Sequence, residues 1–95
     1  MSEIPRIVSA EPVIHGVLNI EWNDGYAGIV DLRPVIDRGG VLAHLQDPDR
    51  FRDVRVGEYG HSVFWRDNRG EEIDFGTDSL RRRAVTQEEL HQRAG

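Results

Sequence analysis

The residues that could do chemistry in this 95-residue chain are few, and most are spaced against it. Four histidines, His15, His44, His61 and His91, could serve as ligands or bases. A zinc site normally begins with a close pair such as His-x-x-x-His, closed by a distant third ligand. No two of these four are close in sequence, so no metal ligands are assigned. The tightest acid/base grouping is His44 with Asp47 and Asp49. A helix start accounts for both aspartates, Asp47 as cap and Asp49 as first-turn acid, which leaves His44 as a loop residue. If a small enzyme or ligand site exists, His44, Asp47 and His61 are the residues that would form it. Ser9, Ser62 and Ser79 lack a Gly-x-Ser-x-Gly setting, and Gly39-Gly40 is a helix stop rather than a phosphate loop. The chain has no cysteine, which removes thiolate nucleophiles, thiolate metal sites and disulfides together. The sequence therefore assigns no catalytic, cofactor-binding or metal-binding residue and expects no cofactor. It favours binding over catalysis.

Two features could serve binding. Arg81-Arg82-Arg83 is the one concentrated basic run and could touch phosphate or an acidic surface. A solvated helix end is the favoured reading, because arginines complement the C-terminal dipole and Asp74, Asp78, Glu88 and Glu89 dilute the field of the run. Phe64 and Trp65 are adjacent in an expected strand, so they point to opposite faces. One of them leaves the main core and needs cover from a helix, from the tail or from another molecule. Phe64, Trp65, Arg81, Arg82 and Arg83 are the candidate partner-binding residues.

The elements that position these residues can be read locally. Residues 17–22 and 26–31 alternate apolar and polar around Asn23-Asp24-Gly25, a β-hairpin signature. A three-residue loop with Gly25 left-handed pairs Trp22 with Tyr26, Ile20 with Gly28 and Leu18 with Val30. This register collects the apolar residues on one face. A strand over 6–13 pairs with the hairpin through a His15-Gly16 turn. Asp31 is expected to cap a helix of about two turns that ends at Gly39, and 41–45 to be extended or irregular. Asp47-Pro48 opens another short helix, with Phe51 turned to the core. Three further strands are expected at 54–56, 62–65 and 72–75, separated by turns at 58–61 and 67–70. A capped turn at Asp78 follows, and Thr86-Gln87-Glu88-Glu89 reads as a capping box ahead of Leu90. The result is one α+β domain over 1–84: a mostly antiparallel sheet of about five to six short strands with two or three short helices. A polar tail over 85–95 is either helical or disordered.

Composition bounds the setting. Seventeen acids oppose twelve bases, all arginine, for a net charge of −5. Such a chain is repelled by a phosphate backbone unless its basic residues are segregated, so direct nucleic-acid binding is not expected. Nothing approaches the ~20 apolar residues that span a bilayer, and 1–13 lacks the pattern of a signal peptide. The expectation is a cytoplasmic protein with a protein partner, with monomer and homodimer left open.

The order of elements, with "LNIEWNDG…VDLRPVI", Gly-Gly, "LQDPDRF", Trp65 and "IDFGTDSL", resembles the bacterial family known as domain of unknown function 2442, over residues 7–80. The resemblance implies a small α+β fold and no established activity. It also implies a regulatory setting. Some members are joined to a C-terminal helix-turn-helix, for which the tail here is too short, and others are encoded beside a second small protein in a toxin–antitoxin-like pair. The expected role is thus an interaction or regulatory module, such as the antitoxin-like partner of a paired small protein. A DNA-linked transcriptional regulator is the alternative, and a small enzyme or ligand binder a further one.

Overall fold

Gly25, at φ +89°, reverses the chain in the left-handed conformation that a three-residue hairpin loop requires. The computed structural model describes residues 5–94, with side chains through 88. Residues 1–4 and the side chains of Glu89, Leu90 and His91 lie outside the described residues, with the readings that rest on them. The hairpin joins β2 (Val17–Trp22) to β3 (Ala27–Asp31). The Trp22 N–H donates to the Tyr26 carbonyl at 2.9 Å, Ile20 faces Gly28 and Leu18 faces Val30, which is the expected register. β1 (Ile7–Ile14) pairs antiparallel on the other side of β2, completing a three-stranded sheet in the order β1-β2-β3.

The connection that follows is built from short pieces. Asp31 ends β3 opposite Val17 and does not itself cap the helix; α1 (Arg33–Ile36) is one turn long and its N-cap is Leu32. Asp31 still accepts the Arg33 backbone N–H at 3.0 Å, so its side chain satisfies a first-turn donor from one residue further back. After Gly39 (φ +74°), residues Gly40–Gln46 form a 3₁₀ segment where extended or irregular chain was expected. α2 (Pro48–Phe51) starts as expected, with the Asp47 carboxylate accepting the Asp49 N–H at 2.9 Å.

β4 (Arg55–Val56), β5 (Ser62–Arg66) and β6 (Glu72–Gly76) form a second antiparallel sheet in the order β4-β5-β6. The α+β class and the six short strands among the described residues agree with the sequence, and these strands divide equally between two sheets. α3 (Thr77–Ala94) then runs without a break through Thr86. Thr86 is an interior residue rather than a helix start, because no breaker separates it from Leu80 and Ala84, which pack inward.

One core serves both sheets. Leu18, Ile20, Trp22 and Val30 from the first meet Val63, Trp65 and Ile73 from the second, with Leu32, Leu45, Phe51 and Leu80 filling between. Each such side chain contributes about 1.5–3 kcal/mol by leaving water. The two indoles are tied as well as buried. Trp22 Nε1–H donates to Thr77 Oγ1 at 2.9 Å, and Trp65 Nε1–H to the Phe51 carbonyl at 2.8 Å. Among the described residues, no helix is long and apolar enough to cross a membrane.

Candidate protein-interaction edge

Among the described residues, two three-stranded sheets leave four outer strands, and three of them are guarded. β1 carries irregularities between Ile7 and Ser9 and between Pro12 and Ile14, which break its ladder, and a proline within it. β4 has only two residues, one of them an exposed arginine. β6 presents exposed Glu72 and Asp74. Bulges, proline, shortness and charge are the usual means of preventing edge-to-edge pairing. β3 has none of them before its last residue: it reads Ala27-Gly28-Ile29-Val30-Asp31.

Its backbone is also available. The bonded pair Trp22–Tyr26 at one end and the Leu32 N–H to Gly16 carbonyl bond (2.8 Å) at the other fix the alternation of the β2–β3 ladder. Gly28 and Val30 therefore bond to β2, while Ala27, Ile29 and Asp31 direct N–H and C=O away from it. Among the described residues the main-chain groups of Ala27 and Ile29 take no hydrogen-bond partner.

α3 packs over the inner face of this strand because Gly28 permits it. A Cβ at Gly28 would lie 3.0 Å from the Ala84 Cβ and 3.2 Å from Tyr26 Cε2. A groove of about 420 Å³ runs between strand and helix, lined by Ala27, Gly28, Ile29, Ala84, Gln87 and Glu88. A second cleft, which shares Gln87 with it, is lined by Asp31, Arg82, Arg83 and Thr86. Ile29 is 41% exposed beside it. The strip is thus apolar in the middle, with arginines at the Asp31 end and the Glu88 carboxylate at the Ala27 end.

The sequence-derived candidates fall in different places. Arg81 turns inward: its guanidinium makes a two-pronged pair with Asp24 and lies 4.1 Å from the Tyr26 ring centroid and 5.0 Å from that of Trp22. The Asp24 carboxyl is held below the ordinary range chiefly by its hydrogen bond from Arg81. Arg82 is exposed and Arg83 half-buried, both beside the groove. Trp65 is in the core, between Phe51 and Phe75. Phe64 is half-buried on the opposite face, with the Arg66 guanidinium 5.5 Å above its ring. The β3 edge carries only one local signal in the sequence, the lack of charge in "AGIV".

The histidines do not converge. His44 lines an open cleft of about 520 Å³ with Arg50, Asp67, Arg69, Glu71 and Glu72, and neither Asp47 nor His61 lines it. Asp67 is engaged by its own turn: its carboxyl, lowered first by the Glu71 N–H, accepts that donor at 2.9 Å and the Arg69 N–H at 2.8 Å. His15 lies edge-on to Phe51, its Nε2 donating to the Leu45 carbonyl at 2.8 Å. Among the described residues no group of three or more histidine or acidic side chains could hold a metal ion.

No family model and no curated protein matches the chain. Among solved structures it is similar to the crystal structure of "Putative DNA Binding Protein NE0471 from Nitrosomonas europaea ATCC 19718", with a TM-score of 0.73 and 28% sequence identity over 92% of this chain. The likeness takes in 54% of that protein, so this chain spans about half its length.

Proposed function

We propose that this chain is a protein-interaction module of a regulatory system, which receives a strand-forming segment of a protein partner along β3 and beside α3. The carrying observation is the unguarded edge, where the Ala27 and Ile29 main-chain groups open onto the groove. In strand addition, main-chain hydrogen bonds supply the affinity, and side-chain pockets along the edge supply the selection. This reading suits the resemblance to the domain of unknown function 2442 family, and it makes the chain a candidate for the antitoxin-like half of a paired small protein. The test compares tagged wild-type chain with Ile29→Lys, which places a charge on the edge while leaving the buried face intact. The wild type should retain a stoichiometric protein partner under gentle conditions and the variant should lose it. A partner held equally by both would refute the edge as the binding site.

A DNA-linked regulator is a second reading, favoured by the name of the similar Nitrosomonas protein. Arg82 and Arg83 are then the contacts, since Arg81 is engaged by Asp24. Binding should weaken steeply with salt and fall in an R82A/R83A variant. Absence of binding at low salt would dispose of this reading.

A further inference from the structure

We infer that the segment received by the β3 edge is the same strand of a second copy, so that two chains join antiparallel about a two-fold axis at Ile29; this rests on the strand-addition reading above.

The alternation of the ladder supplies the first argument. Ala27, Ile29 and Asp31 carry the outward main-chain groups. Antiparallel pairing about Ile29 sets Ile29 against its own copy and Ala27 against Asp31. Every outward N–H then meets an outward C=O without a slip in register. The two sheets become one of six strands, and both open edges disappear together, as an isologous contact requires.

Side chains supply the second. On the outer face the pairing brings together two exposed Ile29 side chains, and it puts small Ala27 opposite Asp31, so nothing bulky collides. The third is charge. The Asp31 end holds Arg82 and Arg83, with the Asp31 carboxylate beside them already paired to Arg33 at 2.9 Å, and the Ala27 end holds the Glu88 carboxylate. A two-fold axis at the centre lays the arginine end of each copy along the Glu88 end of the other. Arg83 thus faces the Glu88 of the other chain, an attraction that opposes the general repulsion between two chains of net charge −5.

Sedimentation of the purified chain over a wide concentration range, with amide exchange measured in parallel, tests this. Wild type should approach twice its monomer mass, and the Ala27 and Ile29 amides should gain protection as concentration rises. Ile29→Lys should stay monomeric. Arg83→Glu should weaken association by about tenfold, the scale of one lost charge-assisted contact. Glu88→Arg also gives up the hydrogen bond from the Tyr26 hydroxyl (2.7 Å), so the R83E/E88R pair is compared with each single variant and should associate better than either. A wild type that is monomeric throughout, with freely exchanging Ala27 and Ile29 amides, overturns self-pairing. The edge reading survives that result if Ile29→Lys still loses a different protein partner. A dimer that forms with those amides unprotected overturns self-pairing at this edge. The exchange measurement needs no variant and so decides the question even if a substitution misfolds.

Discussion

Arg81 on α3 grips Asp24 at the hairpin tip with both prongs of its guanidinium, Nη2 to Oδ2 at 2.9 Å and Nη1 to Oδ1 at 3.2 Å, across 57 positions of sequence. The same planar group lies on the Tyr26 ring, a geometry that a lysine ammonium cannot reproduce. Arg81→Lys should therefore lower Tm nearly as much as Arg81→Ala, as thermal unfolding of the two variants would reveal. Full retention of wild-type Tm by the lysine variant would refute the planar role.

The same pair sets a pH dependence. The Asp24 carboxyl is lowered in the folded chain, so the stability it confers is present above its unfolded value near 3.8 and is lost as pH falls through the folded value. Asp24→Asn should be less stable than wild type at neutral pH, with the gap closing in acid. Urea midpoints measured from neutral pH down into the acid range give the comparison. A gap that is constant with pH counts against the assignment.

Gly28 lets α3 approach the sheet. Gly28→Val should cost about 1–3 kcal/mol, because Ala84 must be pushed away from a well-packed contact. Ala84→Gly costs about 1 kcal/mol alone through helix propensity, but in the double variant it should return part of the Gly28→Val loss. Additive losses in a denaturant double-mutant cycle would show that the two do not touch.

Thr77 is the buried partner of Trp22, accepting its indole N–H and donating to the Pro5 carbonyl at 3.2 Å. Thr77→Val keeps the shape and leaves that N–H unpaired, at a cost of about 1–3 kcal/mol. Thr77→Ser should retain most of the stability. Equal urea midpoints for valine and serine would contradict the hydrogen-bond account.

Tyr59 holds φ at +61° while 71% exposed, with the His61 ring 6.1 Å away as a tilted neighbour. The left-handed region costs a residue with a Cβ about 1 kcal/mol, and the exposed ring regains little by burial. Tyr59→Gly should raise the denaturation midpoint slightly. A clear fall would mean that the tyrosine ring contributes more than the strain.

Much of the fold was legible in the residues themselves. The loop of Asn23-Asp24-Gly25, the alternation that set Ile20 against Gly28, and the Asp47-Pro48 helix start depend on neighbours a few positions apart. Turn geometry, capping and side-chain period act over that range. The missing cysteine settled the thiol question outright. Other features depend on contacts between distant segments. Thr86 looked like a helix start because a capping box is a local pattern, and only the packing of Leu80 and Ala84 against the core carries α3 through it. Asp31 looked like a cap, yet pairing with Val17 keeps it in β3. The division of the strands into two sheets follows from where the 3₁₀ segment and α2 carry the chain. Arg81 in the basic run could not be told from its neighbours until α3 docked beside the hairpin. The open β3 edge has the same origin: "AGIV" shows only that the strand lacks charge, and it becomes an edge because no other described strand pairs with its outer side.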